Sequence, residues 1–346
     1  MRVAIVGAGR IGRRRAAVMA ASDTGRLVWV ADTDRTRAAS LAAEFGGCVA
    51  ERWEAAATAE AVDVVVVATS HDGLAQATRA ALEAGKDVLC EKPLARNWAE
   101  AAPLVALAER RGRVLAVGFN HRCHPGIARL RELVDEGAIG RLLWARCRYG
   151  HGGRAGYERE WRADPVRAGG GELLDQGIHA LDLFGWLFGE FVEVAALVQT
   201  AFWPVAVEDN AFVLLRTAAG QVASLHASWT QWRNLFSFEV CGSQGALCVE
   251  GLGGNYGPEQ LKIETRAADS DAPSEQVFEF AGEDRSWEQE WRAFVSAVRG
   301  CGAPVATGRD ALAALRLVEA AYRAAAAGRT VRPAPEPAPV AAEAVR

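Results

Sequence analysis

The sequence has few of the features that would place a protein on nucleic acid, in a membrane or in an oxidising compartment. Its seven cysteines form no C-x-x-C pair and are odd in number, so we expect buried, reduced thiols in a cytoplasmic protein. The formal net charge is −4, which disfavours nucleic acid and anionic membranes as partners because both require clustered Lys and Arg. The longest apolar run, around residues 64–68, falls far short of the roughly 20 residues that a membrane span needs. No apolar stretch typical of a signal peptide follows Met1.

What the sequence does have is enough length and hydrophobic content for two domains, with 346 residues of which 50% are hydrophobic. Up to residue 120, short runs rich in Val, Ile and Leu alternate with Ala-rich helical stretches. This alternation predicts a parallel sheet with helices on both faces, a doubly wound α/β domain over residues 1–120. The strand candidates are residues 3–6, 27–31, 62–68, 87–90 and 114–118, and the helix candidates are residues 10–21, 35–45, 73–84 and 98–111.

Beyond residue 120 the pattern changes to successive strands joined by turns, which predicts a second α/β domain over residues 121–332. Sequential strands with no long helix among them favour a large, mainly antiparallel open sheet. The Pro/Ala-rich tail, residues 333–346, is expected to be disordered. The predicted strands are residues 142–149, 192–202, 211–216, 222–229, 236–241, 247–250, 261–265 and 277–280. The predicted helices are residues 125–136, one that opens at 171, 287–299 and 311–327.

A glycine-rich motif directly follows the first predicted strand and opens the first predicted helix. Gly7 allows a tight turn, Gly9 lets the backbone approach a pyrophosphate, and Gly12 permits close packing of helix and strand. The helix N-terminus would face the negative charge of a bound dinucleotide. The motif consists of Gly7, Ala8, Gly9, Arg10, Ile11 and Gly12.

An acidic residue ends the second predicted strand and indicates which dinucleotide binds. Asp32 lies twenty residues after Gly12, where a carboxylate accepts hydrogen bonds from the ribose 2′-hydroxyl and repels a 2′-phosphate. The sequence therefore favours NAD over NADP. Arg35 and Arg37 lie close by and could hold a phosphate, although solvated positions on the second helix also explain them.

The tripeptide Glu91-Lys92-Pro93 lies at the carboxyl end of a predicted parallel strand, where open α/β sheets bind ligands. A lysine at that edge can donate hydrogen bonds to a reacting oxygen and stabilise a developing alkoxide. Pro93 would fix the direction of the turn and is a candidate for a cis peptide bond.

A second set of candidate residues follows the run Gly169-Gly170-Gly171. Asp175, His179 and Asp182 are spaced by four and three residues, which places them on one face of a helix. A histidine beside a carboxylate on a buried helix is suited to proton transfer near neutral pH. A structural core histidine capped by an aspartate would give the same pattern.

Together, G-x-G-x-x-G, E-K-P and G-G-G-x-x-x-D-x-x-x-H-x-x-D resemble the motifs of the Gfo/Idh/MocA family, which includes glucose–fructose oxidoreductase and inositol dehydrogenase. The resemblance covers residues 1 to about 329. It implies a Rossmann domain followed by an α/β domain with a large open sheet, through which the chain would form a homo-oligomer, a dimer or tetramer. It also implies that the last helix, at about residues 311–327, packs on the first domain.

The resemblance further implies an NAD-dependent oxidoreductase with Lys92, Asp175 and His179 as catalytic residues. His179 would take the proton from a substrate hydroxyl, and Lys92 would polarise the same oxygen. Asp175 would orient a ring or hold a neighbouring hydroxyl. The cofactor-binding residues are expected to be Gly7, Gly9, Arg10, Ile11, Gly12, Asp32, Arg37, Thr69, Glu91, Lys92, Asn120 and Arg162. The substrate-binding residues are expected to be Lys92, Asn120, Tyr157, Trp161, Asp175 and His179.

No metal is expected, because His121, Cys123 and His124 have no fourth ligand cluster to complete a site. The substrate implied by the family is a polyhydroxylated ring: a sugar, an aminosugar, a cyclitol or a sugar unit of a natural product. A non-catalytic NAD-binding regulator and a dehydrogenase of a dihydrodiol-like substrate are the alternatives.

The charged residues at positions 154–172 do not decide the charge of the substrate. Arg154 and Arg159 would bind a phosphate or carboxylate, whereas three glutamates would favour an amine. These glutamates are Glu158, Glu160 and Glu172.

The assignment of Asp32 to the ribose leads to a direct test. Asp32→Ala should weaken discrimination against NADP, because it removes the carboxylate that repels a 2′-phosphate. The ratio of kcat/KM values for NAD and NADP measures the effect. An unchanged ratio would show that another residue reads the ribose.

Overall fold

The computed structural model describes residues 1–266 and 272–335 and contains two sheets, one parallel and one mainly antiparallel. This confirms the predicted fold class. Most of the tail predicted to be disordered, residues 336–346, lies outside the described residues.

The first sheet is built of six parallel strands in the order β3-β2-β1-β4-β5-β6. The strands are β1 (Arg2–Val6), β2 (Arg26–Ala31), β3 (Cys48–Val49), β4 (Val64–Val67), β5 (Asp87–Cys90) and β6 (Leu115–Val117). The helices that cover it are α1 (Arg10–Ser22), α2 (Arg35–Phe45), α3 (Trp53–Thr58), α4 (His71–Glu83) and α5 (Trp98–Arg111). Sequence patterns missed β3 and α3, because two and six residues are too few to show a period.

The strand order reverses between β1 and β4, which opens a crevice at their carboxyl ends. The four valines of β4 are all buried, as expected for a parallel strand with a helix on either face. The glycine-rich motif lies at the end of β1, so the topology brings it to this crevice.

The second sheet has eight strands in the order β14-β13-β12-β11-β7-β10-β9-β8, and its pairs are antiparallel apart from β7 with β10. The strands are β7 (Leu142–Gly150), β8 (Phe191–Gln199), β9 (Asn210–Thr217), β10 (Val222–Ser228), β11 (Leu235–Gly242), β12 (Gly245–Glu250), β13 (Glu259–Arg266) and β14 (Pro273–Phe280). The remaining helices are α6 (Pro125–Asp135), α7 (Pro165–Ala168), α8 (Ile178–Phe188), α9 (Ser286–Val298) and α10 (Gly308–Ala327).

The two faces of this sheet have different environments. Along β9, Val213 and Leu215 are buried, whereas Phe212 and Leu214 are 44% and 55% exposed. Such alternation is typical of a sheet with one face on the core and one face open. On the covered side, α10 lies against α8 and β8 and also contacts α5 of the first sheet. Within the described residues, the structure contains no helix long and apolar enough to cross a membrane.

A buried ion-pair network fixes α9 to the first sheet. The Arg15 guanidinium, on α1, donates to Glu91 after β5 at 2.8 and 2.5 Å and also binds Glu290 on α9. All three side chains are at least nine-tenths buried. The two carboxylates raise the pKa of Arg15 against the opposing effect of burial, so its positive charge is retained.

Removing the cation of this network should destabilise the fold. Arg15→Met leaves two carboxyl groups buried without their partner, and we expect a loss of about 3–5 kcal/mol in the free energy of unfolding. Arg13→Met is the matched control, because Arg13 pairs with Glu44 on the surface, where an ion pair contributes about 0–1 kcal/mol. Urea denaturation measures both variants, and equal losses would contradict the role given to Arg15.

Candidate functional site

Of the three glycines in the glycine-rich motif, Gly9 is the one that borders open space among the described residues. A Cβ at Gly7, which has φ +102°, would lie 2.4 Å from the Ala68 carbonyl oxygen, and a Cβ at Gly12 would lie 1.9 Å from the Gly7 carbonyl oxygen. At Gly9, by contrast, no described atom lies within 4 Å of that position. Gly7 and Gly12 therefore close the loop against the sheet, while Gly9 leaves room for a ligand to approach the backbone.

The first turn of α1 borders the same open space. No side chain of the described residues caps this N-terminus, so its backbone N–H groups can bind an anion. Arg10 is exposed, Ile11 is half-buried, and both lie in this first turn. The loop and helix N-terminus thus fit the pyrophosphate of a dinucleotide.

Asp32 lies at the end of β2 beside the glycine-rich loop. Its carboxylate accepts hydrogen bonds from the backbone N–H groups of Ala8 at 2.6 Å and Asp34 at 2.8 Å. These bonds fix the carboxylate at the carboxyl edge of the sheet. Arg37 is exposed and pairs with Asp34 at 3.2 Å, so the structure places it on the surface of α2.

The centre of the site is the buried carboxylate of Asp175. Lys92 Nζ, at the end of β5, donates to Asp175 Oδ1 at 2.7 Å and to the Asp175 carbonyl oxygen at 2.5 Å. Arg162 Nε donates to Asp175 Oδ2 at 2.7 Å. These two cations hold the pKa of Asp175 well below its ordinary value, although burial acts in the opposite direction. The structure thus brings together Lys92, Arg162 and Asp175, which the sequence predicts to share a site.

Asp175 lies in a turn of π-helix, Leu173–Gly177, that precedes α8. The expected α-helix from residue 171 is therefore irregular at its start, and such turns occur frequently at functional sites. The Lys92–Pro93 peptide bond is cis, as the sequence suggested.

His179 lies on α8 and is almost completely buried, with 4% of its surface exposed. Its ring stacks on His121 with 3.8 Å between centroids and 19° between planes, and Phe119 contacts it edge-on at 5.6 Å. Burial, and next the positive charge of Lys92, lower the pKa of His179 well below its ordinary value. The ring is therefore neutral at pH 7 and can accept a proton.

A hydrogen-bonded chain fixes the ring on which His179 stacks. The Tyr149 hydroxyl donates to Gln176 Oε1 at 2.9 Å and lies 2.9 Å from His121 Nε2. On its other side, His121 Nδ1 lies 3.4 Å from Asn120 Oδ1, so the ring is held between two polar groups. Sequence analysis missed this support, because β7, α8 and the segment of His121 meet only in the folded chain.

His71 is a further residue of the site that sequence analysis did not select. Its Nδ1 donates to the Ala168 carbonyl oxygen at 2.8 Å, and its Nε2 lies 3.8 Å from Asp175 Oδ1. Burial lowers the pKa of His71 to about 4, so the ring is neutral. Trp161 packs edge-on against it at 4.7 Å and lies under the Arg162 guanidinium at 4.5 Å.

Several residues predicted to bind ligands have protein partners in the structure. The Glu91 carboxylate binds Arg15, and Asn120 Nδ2 donates to Ser286 Oγ at 2.8 Å. Tyr157 is 1% exposed and packs edge-on against Trp229, with 5.0 Å between the ring centroids.

Two further residues that the sequence singled out have partners other than Asp175. Thr69, at the end of β4, donates from its hydroxyl to the Ser70 carbonyl oxygen at 2.9 Å. Asp182 shares the helix face predicted for His179 but pairs with Arg122 at 2.6 Å. Among the residues that the structure describes, no group of three His, Cys, Asp or Glu side chains could hold a metal ion.

The charged residues of the loop before α8 largely neutralise one another. Arg154 pairs with Glu160 at 2.5 Å, and Arg159 pairs with Glu158 at 3.3 Å. The paired charges of this loop therefore favour neither an anionic nor a cationic substrate.

Comparison with protein families agrees with this geometry. Residues 1–119 match the family model described as "Oxidoreductase family, NAD-binding Rossmann fold". Residues 127–248 match the model of the GFO/IDH/MocA C-terminal domain.

Individual relatives cover nearly the whole chain. Inositol 2-dehydrogenase of Rhizobium meliloti (strain 1021) is 29% identical over 96% of this chain and 98% of its own length. D-apiose dehydrogenase of Paraburkholderia graminis is 31% identical over 95% of this chain and 88% of its own length. A solved structure of levoglucosan dehydrogenase with NADH and levoglucosan is 25% identical, with a TM-score of 0.89 over 97% of this chain and 100% of that one. The chain therefore belongs to the Gfo/Idh/MocA family of NAD-binding oxidoreductases.

Proposed function

We propose that the chain transfers a hydride between NAD and a secondary alcohol or ketone on a polyhydroxylated ring: a sugar, an aminosugar or a cyclitol, including a sugar unit of a natural product. The observation that carries this proposal is that one buried site contains both a Lys92 ammonium group, held by Asp175, and a neutral His179 ring. The named activities of the relatives on inositol, apiose and levoglucosan support the same class of substrate.

The cofactor would be held by the glycine-rich loop, the N-terminus of α1 and Asp32. The open space at Gly9 fits a pyrophosphate, and the Asp32 carboxylate favours a ribose 2′-hydroxyl over a 2′-phosphate. Bound NAD supplies the hydride acceptor for oxidation, and NADH supplies the donor for reduction.

Lys92 would bind the reacting oxygen of the substrate. An ammonium group has three N–H donors, and two of them are used by Asp175. In the described part of the chain the third has no acceptor, which leaves it for a substrate oxygen. A fixed cation at that position stabilises the negative charge that develops on the oxygen as the alcohol is oxidised.

His179 would accept the proton of the substrate hydroxyl in oxidation and return it in reduction. Its neutral state at pH 7 is the state that a base requires, and stacking on His121 fixes the plane of its ring. Asp175 acts through Lys92, because both of its carboxylate oxygens are engaged by cations. It is therefore a positioning residue in this proposal.

We also propose a cytoplasmic homo-oligomer, a dimer or tetramer, that assembles through the open face of the second sheet. Phe212, Leu214 and Leu197 are large apolar side chains exposed on β8 and β9. An exposed apolar patch of this kind is typical of a protein interface.

Removing either reacting group should lower turnover strongly and leave binding of the dinucleotide intact. For Lys92→Met and for His179→Ala we expect kcat to fall by about 10²- to 10⁴-fold, the range for a positioned acid or base. Near-ultraviolet absorbance of NADH measures turnover with a panel of sugars, aminosugars and cyclitols, and fluorescence titration measures NADH binding.

Lys86→Met is the matched control, because Lys86 donates to the Val62 carbonyl oxygen at the amino ends of β4 and β5, away from the proposed site. This variant should retain turnover. Undiminished turnover in Lys92→Met and His179→Ala would refute the roles given to both residues.

The buried state of His179 should also appear in the pH dependence of oxidation. Because the pKa of His179 in the folded chain lies well below 6.5, the ring stays unprotonated as the pH falls through 6.5. The acidic limb of the kcat/KM profile should therefore lie below pH 6.5. An acidic limb at or above pH 6.5 would contradict a neutral, buried base.

A further inference from the structure

Glu172 is a fully buried carboxyl group that the proposed mechanism does not use. Its side chain has 0% exposure, and neither carboxyl oxygen has a hydrogen-bond partner among the described residues. Buried polar groups are almost always paired, because an unpaired one loses the hydrogen bonds that water would supply. The free chain therefore maintains an unsatisfied acid at this position.

The backbone on both sides of Glu172 is held in place. Glu208 accepts hydrogen bonds from the N–H of Gly171 at 2.9 Å and from the N–H of Leu173 at 3.1 Å. The Tyr322 hydroxyl also donates to Glu208, at 2.8 Å. The chain thus fixes the position of Glu172 while leaving its carboxyl group unpaired, which is the arrangement of a preformed binding group.

Glu172 belongs to the same site as the proposed reacting residues. It lies three residues before Asp175, and the charges of Asp175 and Lys92 both act on its carboxyl group. The Trp229 indole N–H approaches the carboxyl, yet within the described chain it too has no hydrogen-bond partner. Glu172 and Trp229 are thus neighbouring buried polar groups that form no hydrogen bond in the described part of the chain.

The two carboxyl groups of this site differ in charge. Asp175 is ionised because Lys92 and Arg162 bind it. Burial, and next the negative charge of Asp175, raise the pKa of Glu172 well above its ordinary value. This shift favours the protonated carboxyl group, which offers one hydrogen-bond donor and an acceptor. A hydroxyl group, which also donates and accepts, is its complement.

We propose that Glu172 hydrogen-bonds a substrate hydroxyl other than the reacting one, and so selects a polyol over its deoxy and amino analogues. This inference rests on the proposed function, because the hydroxyl belongs to the ring that Lys92 and His179 would act upon. A site built to bind a hydroxyl discriminates strongly against an analogue that lacks it, since its buried polar groups then stay unpaired.

Two substitutions separate hydrogen bonding from charge. Glu172→Gln retains a neutral donor and acceptor, and we expect kcat/KM for the preferred polyol to stay within a few-fold of the wild-type value. Glu172→Leu removes both, and we expect a fall on the order of 100-fold. For the deoxy analogue that lacks the recognised hydroxyl, Glu172→Leu should change kcat/KM little.

Thermal unfolding distinguishes this role from a structural one. Because Glu172 has no hydrogen bond in the described chain, an apolar side chain there should leave Tm unchanged or raise it. The expected result is thus a more stable but less active Glu172→Leu protein. A lower Tm together with equal losses on polyol and deoxy analogue would assign Glu172 a structural role and overturn the proposal.

Three further outcomes would overturn it. If Glu172→Gln loses as much activity as Glu172→Leu and the wild type prefers amino analogues, Glu172 is an ionised partner of an ammonium group. If the wild type binds NADH but converts no member of the panel, the proposed function fails and this inference fails with it. Wild-type turnover with unaffected variants would refute the inference alone.

Discussion

The structure of the site depends on one buried carboxylate, that of Asp175. It binds Lys92, which ends a strand of the NAD-binding sheet, and Arg162, which belongs to the loop before α8. A buried carboxylate is tolerated only where cations and hydrogen bonds compensate for the lost water. The same ion pairs that allow Asp175 to be ionised therefore also join the two sheets at the place where a substrate would lie.

Burial has opposite consequences for the titratable groups around this carboxylate. It keeps His179 neutral, because the loss of water and the positive charge of Lys92 outweigh the attraction of Asp175 for a charged ring. It also favours the protonated form of Glu172, whereas two cations favour ionised Asp175. Environments that separate the pKa values of neighbouring groups suit them to different roles, and in the proposed function these roles are a base, a neutral hydrogen-bonding acid and an anion within one site.

Much of the fold was predictable, because it follows from patterns that are local in the chain. Runs of buried valine such as β4, and the glycine spacing after β1, fix strands and a loop without reference to distant residues. The switch to an antiparallel sheet was visible in strands joined by turns. Three short elements, β3, α3 and α7, were missed because two to six residues are too few to show a period.

For the site, local patterns were enough to select the residues that could do chemistry: a lysine at the end of a strand, and an aspartate and a histidine four residues apart. Their partners come from distant segments that meet on folding. Glu91, predicted to bind the cofactor, binds Arg15 from 76 residues away. Spacing along a chain shows which side chains share a face of an element. Burial and charge compensation depend on segments that meet only on folding. The protonation states of the site therefore could not be predicted from the sequence.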